Sequence, residues 1–322
     1  MASRSPIAHA DRVQSALRRN ASAKSAVVAS WERSAGLHRL DPEAHRPTLR
    51  ITEQELREAR QRIEPLVRAS QASLDRLYLA IGNAGYCVLL CDRNGVPLER
   101  RGAARDDGTF NKRGLWTGAV WSEEAEGTNG IGTCLVEQRA LTIHRDQHFF
   151  SRNTQFSCTT APIYDHEGKL AAALDVSCCR ADVTESFVSL IQVAVGDAVR
   201  RIEAENFRLA FPGARVMLAP TADNSPAALI AVDRDDLVIG ATRAARLSLG
   251  LTPDAMTKPL PAWDVLGVQG RVGDDLDHAE RGALQRALAR AGGNVSAAAK
   301  LLGISRATLH RKLNRFDLGK TN

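Results

Sequence analysis

Near its C-terminus the chain reads GGNVSAAAKLLGISRATLHRKLNRF, residues 292–316. Two short apolar-striped segments flank Gly303, the residue type that takes the left-handed turn between two helices. Asn294 and Ser305 stand where helix N-caps belong. A further helical segment, HAERGALQRALARAGG, precedes them. Leu284, Leu288 and Ala291 form one apolar stripe, Ala298, Leu301, Leu302 and Ile304 a second, and Leu309, Leu313 and Phe316 a third. Three short amphipathic helices with such stripes share one small core. The pattern constrains the segment to an all-α unit built on a helix-turn-helix.

With Leu309 and Leu313 facing in, Arg306, Thr308, His310, Arg311, Lys312 and Arg315 face out, a cationic and hydrogen-bonding surface at the start of a recognition helix. The net charge is +6, and Glu280–Asn322 alone holds nine Lys or Arg against two acids. The basic excess is therefore confined to this tail, which suggests a polyanionic partner. Arg306 suits a guanine edge, while Lys312 and Arg315 suit phosphates. A merely solvated basic face is the alternative; cap, glycine turn and basic helix coinciding favour double-stranded DNA.

The 322 residues suffice for roughly two to three domains, with 44% hydrophobic and 25% charged residues as in globular proteins. No apolar run reaches about eighteen residues, and the N-terminus lacks the apolar stretch of a secretory signal. A cytoplasmic protein without a membrane partner is expected. Cys87, Cys91, Cys134, Cys158, Cys178 and Cys179 form no C-x-x-C pair, so free, mostly buried thiols are expected.

Upstream of the tail the chain reads as α+β. Residues 1–50 are helical and irregular, and LDPEAHRP breaks the pattern. ITEQELREARQRIEPLVRASQASLDRLYLAI opens on a capping box at Thr52, with Pro65 expected to kink or split the helix. GYCVLLCD and VPLERR flank Arg93, Asn94 and Gly95 as a hairpin, and TAPIYD and KLAAALDVSCC flank His166, Glu167 and Gly168 likewise. A long helix follows to about Leu209. FPGARVMLAPTADNSP reads as linker, AALIAVDRDDLVIGATRAARLSLGL as strand, turn, strand and helix, and GVQGRVGDDLD as loose.

EAEGTNGIGTCLVEQRALTIHRDQHF offers Gly127, Gly130 and Gly132, but the spacing matches neither a dinucleotide fingerprint nor a Walker A motif. His144 and His148 are four apart, yet Thr142, Ile143 and His144 read as a strand end, so no metal site and no cofactor are assigned. Adjacent Cys178 and Cys179 would pair only in a strained ring, which weakens a redox cluster with Cys158.

Residues 278–316 closely resemble the Fis-type helix-turn-helix of bacterial enhancer-binding regulators. The resemblance implies a homodimer reading an inverted repeat, with Asn294, Ser296, Ser305, Arg306, Thr308, His310, Arg311 and Lys312 on the DNA face; Arg315 joins them from the helix pattern. EGTNGIGTCL, the QHFF stretch, FSCTTAPIYD, KLAAALDVS and SWERSAGLHRLDP resemble the GAF sensor region of acetoin-catabolism-type regulators. That implies an unidentified small-molecule effector in a pocket between sheet and helices, with Glu126, Thr128, Asn129, Thr133, His148 and Cys158 as candidates; structural roles, such as Asn129 capping a helix, stand beside this. Residues 227–251 resemble the first half of a PAS domain.

The expected architecture is multidomain α+β: an N-terminal helical region (1–75), a GAF-like antiparallel sheet flanked by helices (76–209), a linker with a small PAS-like segment (210–268) and the all-α helix-turn-helix (278–318). Regulators of this kind usually carry a central AAA+ ATPase that acts on sigma-54 polymerase. The space between residues 265 and 278 cannot hold one. The expected function is a ligand-sensing, DNA-binding regulator, RNA polymerase being a possible partner. The alternatives are a GAF-type thiol redox enzyme, resembling free methionine sulfoxide reductases, through Cys87, Cys91 and Cys134, and an architectural DNA-bending protein.

Overall fold

The computed structural model describes residues 6–18, 25–81, 85–179, 185–222, 225–252, 254–267, 276–316 and 318. The chain divides into two compact units, 1–262 and 263–322. The stretch 268–275, within the segment expected to be loose, lies outside the described residues.

The first unit is organised by a five-stranded antiparallel sheet of order β2-β1-β5-β4-β3, made of β1 (Tyr86–Asp92), β2 (Pro97–Arg101), β3 (Leu141–His144), β4 (Ser157–Tyr164) and β5 (Leu170–Cys178). Both expected hairpins form, by one device. At the first turn the Asp92 carboxylate accepts from the backbone N–H groups of Asn94 and Val96, both at 2.9 Å, and Gly95 takes φ +79°. At the second, Asp165 accepts from Glu167 and Lys169, again at 2.9 Å, and Gly168 takes φ +76°. An aspartate that bonds its own chain two and four residues on, with glycine tolerating the left-handed step, folds the chain back.

One face of the sheet carries α3 (Glu53–Arg62), α4 (Glu64–Ile81) and α8 (Glu185–Ala210). Thr52 and Glu55 form the capping box. The chain splits rather than kinks before Pro65: Ile63 leaves helical geometry at φ −124°, and Pro65 sits in the first turn of α4, where its missing N–H costs nothing. Leu66, Leu74 and Leu77 of α4 and Ile191, Val195 and Ile202 of α8 bury against Val88, Leu90, Leu174 and Val176. Alternation sends Cys87, Leu89, Cys91 and Ala173 to the opposite face. There they meet Phe110 of α5 (Asp107–Lys112), Leu115, Trp121 and Ile131. That face also holds α6 (Glu123–Glu126) and α7 (Gly130–Glu137). The N-terminal helices α1 (Pro6–Arg18) and α2 (Ala26–Glu32), the latter continued by a π-turn to Leu37, pack Val13 and Trp31 on Phe149 and Phe150.

A small antiparallel sheet follows, of order β6-β7-β8: Arg215–Leu218, Leu229–Val232 and Val238–Ala241, with α9 (Arg243–Leu249) after it. The segment expected to be plain linker thus supplies β6, because Arg215–Leu218 finds β7 as a partner, from Leu218 opposite Leu229 to Arg215 opposite Val232. The β7–β8 turn repeats the aspartate device, Asp233 accepting from Asp235 and Leu237 at 2.9 Å, with Asp236 at φ +63° where the other two turns have glycine.

A short α10 (Ala262–Val265) stands at the unit boundary, and the second unit contains α11 (Leu276–Arg290), α12 (Val295–Leu301) and α13 (Arg306–Arg315). Asn294 caps α12 and Ser305 caps α13 through their side-chain oxygens, and Gly303 turns the chain at φ +65°. Leu284, Ala287, Ala298, Ala299, Leu309 and Leu313 form the core. Leu301, expected in the second stripe, is 60% exposed, and Ala299 takes the inward position. The last turn of α12 rotates Leu301 outward because Ala298 and Ala299 already face the other two helices.

Gly132 in α7 has backbone in place of a side-chain neighbour: an added Cβ would lie 2.4 Å from the Glu123 nitrogen and 2.7 Å from the Ser122 carbonyl carbon. Gly132→Ala should cost about 3 kcal/mol by urea unfolding, the upper range for overpacking. Gly196→Ala on α8, whose Cβ would meet only Arg200 Nη1 at 3.6 Å, should instead gain about 0.5–1 kcal/mol.

Candidate ligand face and nucleic-acid interface

The stretch EGTNGIG seats α7 directly on the sheet. Asn129 caps the helix, its Oδ1 accepting from Gly132 N at 2.9 Å while its Nδ2 donates to the Gly127 carbonyl at 2.8 Å. A Cβ on Gly130 would fall 2.5 Å from Cys158 Cβ and 2.8 Å from Thr160 Oγ1. The glycines therefore serve close packing of helix on strand, not a phosphate loop.

Beneath α7 lies a buried polar row. Alternation along LAAALDVSC turns Asp175 and Ser177 toward the helix. Register sets Asp175 between Leu89 and Thr160, and Ser177 between Cys87 and Cys158. Thr160 Oγ1 donates to Asp175 Oδ1, and Ser177 Oγ to Asp175 Oδ2, both at 2.6 Å. Ser177 Oγ also lies 3.1 Å from Cys158 Sγ, which is 3.5 Å from His148 Nε2. The His148 Nδ1 faces the Arg145 carbonyl at 2.9 Å and so carries the ring proton, leaving Nε2 to accept from the thiol. Burial holds His148 down to about 4, so it stays neutral, and pushes Asp175 up to about 6. Burial, with the Asp175 charge beside it, drives the Cys158 thiol well up. Cysteine beside histidine here is not an activated nucleophile.

The other predicted pocket residues sit in two clusters beside this row. Glu126 is held by Arg152 at 2.7 Å and by Asn153 Nδ2 at 3.1 Å. Thr128 and Thr133 share the hydroxyl of Ser30, at 2.7 and 3.2 Å, and Ser30 donates to Glu123 at 2.9 Å. Arg33 binds Glu123 at 2.9 Å and Glu137 at 2.9 Å. All six residues, Glu126, Thr128, Asn129, Thr133, His148 and Cys158, are buried around the start of α7. Sequence reasoning missed Ser30, Arg33, Thr160, Asp175 and Ser177. The lone aspartate in the otherwise apolar LAAALDVSC is the signal that could have found the row.

Two cavities open on this unit. One, of about 420 Å³, is lined by Gly85, Arg105, Asp106, Thr109, Phe110 and Cys179, at the edge of the α7-side core. The other, of about 580 Å³, lies between α4 and α8. None of the six predicted residues lines either. Among the described residues no three His, Cys, Asp or Glu groups are placed to hold a metal; His144 Nδ1 is 2.9 Å from Ser157 Oγ.

In the second unit, Asn294, Ser296, Ser305, Arg306, His310, Arg311 and Arg315 are exposed and Thr308 and Lys312 half-buried. Ser305 accepts from Thr308 N at 3.1 Å and so spends its side chain on the cap. Lys312 and Arg315 are paired with acids of α11: Lys312 with Glu280, Arg315 with Asp277 and, at 3.6 Å, with Glu280. These pairs brace α13 on α11. Arg306 and Arg311 have no acidic partner among the described residues and form, with His310, the uncompensated part of the face.

An antiparallel five-stranded sheet clad in helices, and a capped helix-turn-helix with a cationic second helix, define a sensor module and a DNA-binding module. Residues 52–202 match the GAF domain family and residues 276–316 the bacterial regulatory protein, Fis family. The chain thus joins a GAF domain to a Fis-type helix-turn-helix. It is similar to the acetoin catabolism regulatory protein of Cupriavidus necator, 34% identical over 68% of this chain and 34% of that protein. It is also similar to the acetoin dehydrogenase operon transcriptional activator of Bacillus subtilis, 30% identical over 41% of this chain and 22% of that protein. The chain spans about a third or less of these relatives' length. A chain of the solved Escherichia coli DhaR(N)–DhaL complex shares the fold at TM-score 0.51 and 15% identity, over 72% of this chain and 79% of that one. Between the two family matches, the described part of 203–275 is filled by the end of α8, the small sheet, α9 and α10, which leaves no room for an ATPase module.

The raised Asp175 gives a pH test. Burial lifts its pKa from 3.8 to about 6, so the folded chain keeps a proton that the unfolded chain has lost. The associated stability is full below about pH 4, falls as pH rises to about 6 and then levels off, by about 3 kcal/mol for roughly two units. Asp175→Asn removes this titration. By urea unfolding, the stability of the natural chain relative to Asp175→Asn should fall by about 2 kcal/mol between pH 4 and 6.5; a constant difference would overturn the assignment.

Proposed function

We propose that this protein is a bacterial transcriptional regulator, working in the cytoplasm, whose GAF domain senses a small molecule and whose Fis-type helix-turn-helix binds promoter DNA. The observation that carries the reading is the N-capped, uncompensated cationic start of α13 joined in one chain to a GAF domain. The protein binds as a homodimer on an inverted repeat, its two α13 helices entering successive major grooves. Arg306 and His310 read base edges, Arg311 and Lys312 sit over phosphates, and the first-turn groups Asn294, Ser296, Ser305 and Thr308 approach the backbone, with Arg315 at the rim. Lys312 and Arg315 exchange an acid of α11 for phosphate, so each contributes less than Arg306.

The effector enters on the α7 side of the sheet by the 420 Å³ cavity and meets the residues around the start of α7, which do not line that cavity in this structure, only in a ligand-bound arrangement. It acts only by a difference in affinity between two states of the protein. Binding to DNA, with recruitment or occlusion of RNA polymerase, is the output, without an ATP-driven step. The redox-enzyme reading is disfavoured, since burial drives the Cys87, Cys91 and Cys134 thiols up and away from the thiolate.

Gel shift of the full chain on its upstream DNA tests the reading. Binding should weaken steeply with salt, and Arg306→Ala should lose about 10–100-fold, for a lost base contact of about 1–3 kcal/mol. Lys312→Ala should lose less. Salt-insensitive retention, or retention untouched by Arg306→Ala, would overturn the assignment of the interface.

A further inference from the structure

The groove between α4 and α8 belongs to neither site described above. Its volume, about 580 Å³, is that of a small-molecule pocket. Positions 69, 72, 73 and 76 of α4 and 197, 200, 201, 204, 205 and 208 of α8 line it, one helical face from each. Five of these and neighbouring lining positions are arginines: Arg68, Arg76, Arg200, Arg201 and Arg208; only Asp197 and Glu205 oppose them. Arg200 is paired with Asp197, Arg208 lies 3.8 Å from Glu205, and Arg68 lies 4.0 Å from Glu64. Arg76 and Arg201 have no hydrogen bond or ion pair with any described residue. Two uncompensated guanidinium groups thus share one concavity. Its floor is small and largely apolar: Ala69, Ser73 and Ala204 are buried, and Pro226 closes in from the segment before β7.

We propose that this groove is a second ligand site, for a phosphate-bearing small molecule of nucleotide size. Guanidinium forks match phosphate oxygens in pairs, which suits Arg76 and Arg201, and the floor of small side chains, Ala69, Ser73 and Ala204, leaves room for an apolar ring. A phosphodiester backbone would use the charge but not the floor, so the small ligand is favoured over duplex DNA. Bound there, the ligand ties α4 to α8 and to the chain entering β7.

Isothermal titration of the full chain with adenosine diphosphate, adenosine and inorganic pyrophosphate tests this. The diphosphate should bind at least tenfold more tightly than adenosine, and pyrophosphate should compete with it. Arg76→Glu with Arg201→Glu should lose tenfold or more in affinity with an unchanged melting temperature. Ala72→Trp, which fills the exposed groove without touching its charge, should lose binding as well and keeps the test valid if the double variant folds poorly. No heat at millimolar diphosphate or pyrophosphate, or equal affinity in both variants, would overturn the site. So would a double variant that loses retention of duplex DNA as severely as Arg306→Ala, which would make the groove a DNA contact.

Discussion

The first unit depends on the contact between the start of α7 and the strands β4 and β5. Gly130 lies so close to Cys158 and Thr160 that no other residue type fits, and Asn129 fixes the helix start from within. That contact seals Asp175 from water and, among the described residues, leaves its carboxylate two hydroxyls, Thr160 and Ser177, as hydrogen-bond partners. A buried carboxylate with two neutral donors is poorly compensated, which is why its pKa rises. The same joint reaches outward: Thr133, in α7, shares Ser30 with Thr128, and Ser30 lies in α2. One packing contact thereby binds the N-terminal helices, α7 and the sheet into a single structure.

What the sequence revealed of this is divided by range. The helix-turn-helix was legible because its determinants are local: Asn294 and Ser305 cap, Gly303 turns, and Leu309 and Leu313 face in. The two hairpins were legible for the same reason, through aspartate and glycine at fixed offsets. Ser30 and the pairing of Asp175 with Thr160 were not, because the partners of Ser30 lie 93 to 103 residues away and Thr160 lies 15 from Asp175, and only the fold brings them together. The strand β6 was missed because four residues of modest hydrophobicity become a strand only when β7 pairs with them. Leu301 read as core by spacing, whereas Ala298 and Ala299 already fill the crowded helix junction.

Charge shows the same division. Counting residues locates the basic excess in the tail, but not which cations are free. The acids Asp277 and Glu280, one turn apart on α11, take up Lys312 and Arg315, so on α13 Arg306 and Arg311 are the cations left without an acidic partner among the described residues. Exposed pairs of this kind contribute little stability; their consequence is that the unpaired positive charge of α13 falls on Arg306 and Arg311. In the first unit Glu123 and Glu126 are buried and engaged by Arg33 and Arg152, while Arg76 and Arg201 stand unpaired among the described residues in the groove between α4 and α8.

Helix α8 is where these features meet. At about 1.5 Å per residue its 26 residues extend roughly 40 Å. Its first two-thirds pack Ile191, Val195 and Ile202 on the core beneath the sheet, and its end packs Phe207 on Leu229 and Ala231 of the small sheet. Glu203, between these regions, accepts from Tyr164 N at the end of β4, and burial pushes it up to about 7. A rod so anchored cannot follow the sheet at one end without loading the small sheet at the other, since packed interiors shift between discrete arrangements rather than stretch. Any rearrangement that a ligand stabilises on the α7 face of the sheet must therefore be accommodated at the α8–β7 contact, where the long helix meets the small sheet.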